Sequence, residues 1–201
     1  MTSKLFNTVA LPELGELMRI NLPHEEVIEA AQQLDLVPED AAILRQPTQK
    51  WDFDRPQEDA RQLYLSLSKT MLNHNGIGLS ANQVGLNHRV FVLVSGYGFP
   101  MGFFNPVIVD TSAEEVYMEE GCLSFPQLVV KVKRPAKVRV RFAEWNGDVV
   151  TKQFEGMTAR AIQHEMDHLD GITFKDRANP IHLEKALRQR KQHLKLLKQH
   201  A

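Results

Sequence analysis

Apolar positions recur along this chain with two different periods, and the switch between them divides it into regions. In "NLPHEEVIEAAQQL" Val27, Ile28, Ala31 and Leu34 share one helical stripe, with Asn21 as a cap and Pro23 in the first turn. Residues 1–35 therefore read as a helical N-terminal extension. A second helix is expected in "DRPQEDARQLYLSLSKTMLNHNG", capped by Asp54, opened by Pro56 and ended by Gly76, with Ala60, Leu63, Leu67 and Met71 at helical spacing. The period then shortens to two. "RVFVLVSG", "FFNPVIVD" and "QLVVKVKRP" read as strands, and "AKVRVRFAEWNGDVVTKQFEG" reads as a hairpin turning at Asn146-Gly147, with Val138, Val140 and Phe142 on one face. A helix through "AIQHEMDHLDG" stops near Gly171, and a long basic helix runs on from Pro180, with Leu183, Leu187, Leu194 and Leu197 near one expected packing face. Strands cluster in the middle and helices lie outside them. That order predicts an α+β fold: mixed or antiparallel strands packed around a central helix, with flanking N- and C-terminal helices.

The totals narrow the function without naming it. A chain of 201 residues can bury one real core, and a net charge of -1 carries no bulk signal for nucleic acid or for a membrane surface. No apolar run is long enough to span a bilayer. The first residues lack a continuous apolar stretch, and Glu13 and Glu16 sit badly in an organelle transit peptide. One cysteine excludes an intrachain disulfide, so the expected compartment is the reducing cytoplasm.

Chemistry concentrates in the "HEMDH" of the central helix. His164 and His168 stand four apart on one face and can grip one metal ion, while Glu165 is rotated away from that face, toward a water on the metal. A catalytic metal site normally takes three protein ligands and keeps one position open. A third histidine after the glycine turn is absent, because Phe174 occupies that position. Glu184, on the basic last helix, is a weak downstream alternative. The upstream candidate is Cys122 in "MEEGCLSFP", whose flanks Glu119, Glu120 and Ser124 are too polar for an ordinary buried cysteine. A thiolate with two imidazoles suits zinc or tetrahedral ferrous iron.

Three stretches together, "GIGLSANQVG", "EGCLSFP" and "QHEMDHLDG", resemble the signature motifs of peptide deformylases in that family's order and spacing. The likeness runs from about "VPEDAAILRQPTQKWDF" to "GITFKD" and implies a catalytic domain over residues 36–178, followed by the basic C-terminal helix, 179–201. It implies metal-dependent hydrolysis of the N-formyl group from formyl-methionine on newly made proteins, with release of formate. Rival readings are a metallopeptidase using the same helix motif and a non-catalytic protein that holds nascent chains or the ribosome. The resemblance makes Cys122, His164 and His168 the ligands of one divalent ion, most often Fe2+, with Zn2+, Ni2+ or Co2+ able to serve. It makes Glu165 the general base that becomes an acid, and assigns the oxyanion to the Gln83 amide and the backbone N–H of Leu123. Gly76, Ile77 and Gly78 become an edge for an extended substrate, with Ile77, Met157 and Ala161 near the methionine side chain. Glu120 is expected beside the substrate and also paired with Arg134 as support. Asn82 stands where proline or another residue often precedes the glutamine, and the arginine some relatives carry after the cysteine motif is replaced by Gln127, Leu128 and Val129. Expected partners are formyl-methionyl nascent peptides and, through the basic helix, the ribosome; neither a membrane nor sequence-specific nucleic acid is expected.

Overall fold

The computed structural model describes residues 25–95 and 98–200. Its strands are β1 (Gly78–Ser80), β2 (Val90–Val94), β3 (Pro100–Thr111), β4 (Glu115–Cys122), β5 (Phe125–Pro135), β6 (Lys137–Ala143) and β7 (Val149–Glu155). Five of them form one sheet in the order β1-β2-β3-β6-β7, every neighbour antiparallel, while β4 and β5 form a separate two-stranded sheet. The uninterrupted apolar run of β2 marks a strand buried on both sides. Val90 and Val92 enter one core and Phe91 and Leu93 the other, all fully buried.

Each core is closed by a helix. Leu63, Tyr64, Leu67 and Met71 of α2 (Ala60–Asn73) cover the Val90 side, and Ala159, Ile162, Met166 and Leu169 of α3 (Gly156–Leu169) cover the Phe91 side. The expected hairpin is β6–β7, with Gly147 at φ 89 in its turn. Helix α2 starts later than its sequence predicts. Asp59 is the cap, accepting the Gln62 N–H at 2.7 Å, because Asp52 already accepts the N–H groups of Asp54 and Arg55 and folds that stretch into a turn.

The helix expected before Leu34 is also shorter, α1 spanning Glu25–Glu29. The chain leaves it so that the Leu34 N–H can reach Thr70 Oγ1 on α2 at 2.8 Å, while Ile28 and Ala31 still bury in the α2 core. The proposed cap at Asn21 and the proline at 23 lie outside the described residues.

Two helices complete the fold, α4 (Phe174–Arg177) and α5 (Pro180–His200). The leucine stripe of α5 is not its packing face: Leu187, Leu194 and Leu197 are exposed. The groove beside β5 instead takes the small Ala186, packed with Phe125, Leu128 and Phe174. Among the described residues no helix is long and apolar enough to cross a membrane.

Candidate active site

Helix α3 has two working faces. One fills the core described above; the other presents His164 and His168 one turn apart, their rings 5.0 Å from centre to centre. His164, Glu165 and His168 are all buried. Cys122 arrives from the end of β4, where the pairing with β5 slips and the chain turns through Leu123 and Ser124 to Phe125. Its Sγ lies 3.2 Å from His168 Nε2, and the donor atoms of Cys122, His164 and His168 all lie within 4.8 Å of one another. Glu184 is elsewhere, an exposed side chain paired with Arg188 on α5. One sulfur and two imidazole nitrogens this close together fit a divalent transition ion. One buried atom beside the cluster, Glu165 Oε2, has no hydrogen-bond partner among the described residues, as expected where a water or a substrate belongs.

Behind the ligands sits a buried charge network. Glu120 Oε1 accepts from Arg134 Nε at 2.6 Å and from Arg160 Nη1 at 2.9 Å. Glu120 Oε2 lies 2.9 Å from Arg134 Nη2 and 3.0 Å from His164 Nδ1, which orients the imidazole. Arg134 also reaches Asp167 at 2.7 Å, and Asp167 in turn holds Arg177. Both oxygens of Glu120 are thus taken by donors, the expected partner Arg134 among them. Burial works to raise the Glu120 pKa, but the bonds from Arg134 and His164 outweigh it and hold the carboxyl well below the usual range. Burial opposes charge on both imidazoles. In His164 this is outweighed by Cys122 and Glu120, which raise its pKa, whereas burial and the neighbouring His164 hold His168 well below its ordinary value. Burial pushes the Glu165 carboxyl up to about 7.

The loop after β1 aims Gln83. Its Oε1 accepts from the Ser80 N–H and lies 2.9 Å from Ser80 Oγ, which leaves Nε2 pointing at Ser124 Oγ (3.0 Å) and Cys122 Sγ (3.4 Å). Asn82 ties this loop to α3: its Nδ2 donates to the His168 carbonyl at 2.6 Å and its Oδ1 lies 2.9 Å from Ser80 Oγ. Gly78 passes so close to α3 that an added Cβ would lie 2.5 Å from Glu165 Oε1, and one on Gly76 would lie 2.8 Å from Leu123. A cleft of about 550 Å³ opens onto the cluster, and Gly76, Ile77, Gly78, Leu123, Met157 and Ala161 all line it, as do Gln83, Glu120 and Glu165. Arg134 stands behind the cleft.

Sequence reasoning saw Asn82 only as a departure from the motif and Ser124 only as a polar flank, and it missed Arg160 and Asp167. Arg160 left one trace, an arginine between Ala159 and Ala161, one turn before His164 and on its side of the helix.

A Cys-His-His cluster, a buried carboxylate and a side-chain amide converging on one cleft make up the working parts of a metal-dependent hydrolase. A family model described as polypeptide deformylase matches residues 33–184. The peptide deformylase of Synechocystis sp. is 38% identical over 152 residues, which is 73% of this chain and 80% of that one. The crystal structure of a peptide deformylase from Synechococcus elongatus in complex with actinonin has a TM-score of 0.73 at 37% identity, covering 81% of this chain and 88% of that one. The Met-Ala-Ser bound peptide deformylase of Acinetobacter baumannii has a TM-score of 0.68 at 30% identity, covering 73% and 99%. The chain belongs to the polypeptide deformylase family, metal-dependent hydrolases that remove the N-formyl group from nascent peptides.

Proposed function

We propose that deformylation in this chain runs on Cys122, His164 and His168 as ligands of a ferrous ion, with zinc, nickel or cobalt able to replace it. The borderline-soft donor set supports that choice. Held there, the ion would supply Lewis acidity and lower the pKa of water. Glu165 takes the proton of the attacking water and returns it to the leaving amine as the formamide C–N bond breaks, giving formate and a free N-terminus. Burial favours the protonated form of Glu165, which suits a carboxyl that must both take and return a proton. Gln83 Nε2 and the Leu123 N–H stabilise the developing oxyanion. The peptide lies extended along Ile77 and Gly78, with its methionine side chain toward Met157 and Ala161.

The observation that carries this reading is the Glu165 Oε2 atom, buried and unpartnered among the described residues, on a cleft shared with the Cys-His-His cluster. The test is amine release from formyl-Met-Ala-Ser by iron-loaded protein kept from oxygen. Glu165→Ala should retain its metal and lose about 10²–10⁴-fold in turnover. Comparable turnover by that variant, or cleavage of the unformylated peptide, would overturn the assignment.

The exposed Lys185, Arg188, Lys191 and Lys195 of α5 support a further part of the proposal, docking on ribosomal RNA phosphate in the cytoplasm, where formylated chains emerge. The single cysteine suits that reducing compartment. Each of these basic residues changed to alanine should lower the salt slope of ribosome binding by about 0.7–0.9, the share of one neutralised phosphate. Unchanged co-sedimentation at low salt would leave α5 a purely structural helix.

A further inference from the structure

Arg190 reaches from α5 across to the turn that follows the cysteine. Its Nε donates to the Pro126 carbonyl at 2.9 Å and its Nη2 to Glu39 Oε2 at 2.6 Å, with only 15% of the side chain exposed. The Arg190 guanidinium holds the Glu39 carboxyl below its ordinary range. Three segments remote in the chain therefore meet at one guanidinium.

The carbonyl that Arg190 grips is part of a rigid unit. Pro126 C=O and Gln127 N–H belong to the same peptide plane, so fixing one orients the other. Gln127 is also held at φ 63, a left-handed conformation uncommon for a residue with a side chain. Both residues line the cleft, and Gln127 is exposed at its rim. Beneath the turn, Ala186 of α5 packs with Phe125, and Lys175 Nζ sits 3.8 Å from the centre of the Phe125 ring. The turn is thus braced on its outer side by α4 and α5, while its inner side faces the cleft.

We infer that Arg190 is a positioning residue for substrate: it sets the Pro126–Gln127 peptide plane so that the Gln127 carboxamide meets the peptide backbone beyond the formyl-methionine. A primary amide offers both a donor and an acceptor, the complement of an extended peptide unit. Arg190 would do this through Gln127, without touching substrate. The inference rests on the reading of the cleft as the place where the formyl peptide lies.

The experiment measures kcat and KM for formyl-Met-Ala-Ser and for formyl-methionine amide, with equal metal loading throughout. Arg190→Ala should raise KM for the tripeptide about 5–10-fold with kcat little changed, the signature of binding lost equally from ground and transition states. It should leave KM for the amide as in the parent. Arg190→Lys, which keeps a cation and a donor, should recover most of the loss. Gln127→Ala should reproduce the same split, and the double variant with Arg190→Ala should add nothing to it. An unchanged tripeptide KM in Arg190→Ala, or an equal loss on both substrates, would overturn the inference and leave Arg190 a structural brace. If instead Glu165→Ala remained active, the reading of the cleft would fail while the Arg190 comparison stayed interpretable.

Discussion

Glu120→Gln should be far more damaging than its near-identical shape implies. Four donors converge on the Glu120 carboxylate: Arg134 Nε and Arg160 Nη1 on one oxygen, Arg134 Nη2 and His164 Nδ1 on the other. Glutamine would turn one oxygen into an amide group, setting donors against donors, and would remove the charge that neutralises two buried guanidiniums. Arg134 would keep Asp167 as a partner, but Arg160 would retain only the carbonyls of Val116 and Val132. Breaking a buried ion pair from one side costs about 3–5 kcal/mol. At about 2–4 °C per kcal/mol for a chain of this size, the melting temperature should fall by about 6–20 °C. Metal affinity should drop about 10–100-fold, because His164 loses the carboxylate that orients it. Calorimetry at fixed metal concentration measures the first effect and competition with a chelator the second. The Glu120 pKa is depressed in the folded chain, so its contribution is complete above the ordinary carboxylate pKa and is lost only as pH falls toward the folded value. The gap between parent and variant should therefore close as pH falls into acid, below the ordinary carboxylate pKa. Adding Arg160→Met removes the stranded cation and should recover part of the loss. A melting temperature within about 2 °C of the parent, with superimposable chelator curves, would refute the reasoning.

Three further substitutions probe other parts of the site. Gly78→Ala would place a methyl 2.5 Å from Glu165 Oε1, so turnover should fall about 100-fold by displacing the carboxylate, with melting and metal content nearly unchanged; normal kcat would show that the glycine is not required. Asn82→Ala removes the bond to the His168 carbonyl, so we expect a destabilisation of about 1–3 kcal/mol and a reduced kcat, read by denaturant titration and steady-state kinetics; a stable, fully active variant would make the tether incidental. Cys122→Ser should lose metal and activity together, because a hydroxyl is a poor ligand for a borderline-soft ion, and full metal occupancy by elemental analysis would remove Cys122 from the ligand set.

What could be read in advance divides along local and non-local lines. His164, Glu165 and His168 were legible because helical spacing alone puts them together. Cys122 joins them through the β4–β5 turn, which no periodicity reveals; its polar flanks made it a candidate, and the family resemblance assigned it as the third ligand. Strand β4 escaped notice because it pairs on one side only, and its residues are largely exposed or half-buried, so "EVYMEEGC" carries little apolar alternation. Strand β1 is three residues long, too short for a pattern. Asn82 looked like a departure from the common motif, yet its partner is a carbonyl on another element of the fold. The exposed leucines of α5 misled for a related reason: which face of a helix packs is decided by the shape of the surface receiving it, here one that admits an alanine and an arginine.

The thiol-bearing hairpin also bears on how this chain folds. Strands β4 and β5 form an excursion between β3 and β6, and its two ends lie side by side where Thr111 pairs with Val138. Ser112 and Lys137 close that base with reciprocal bonds, Ser112 N–H to the Lys137 carbonyl and Lys137 N–H to Ser112 Oγ. A hairpin forms from neighbours in sequence within microseconds, whereas joining β3 to β6 requires a long loop to close first. Once the excursion has zipped, the loop entropy is largely spent and the two halves of the large sheet are delivered to each other. The tight turn beside Cys122 should then be an early contact in the folding transition state. Changes there would slow refolding as well as weaken a ligand, so chemistry and folding rate act on the same few residues.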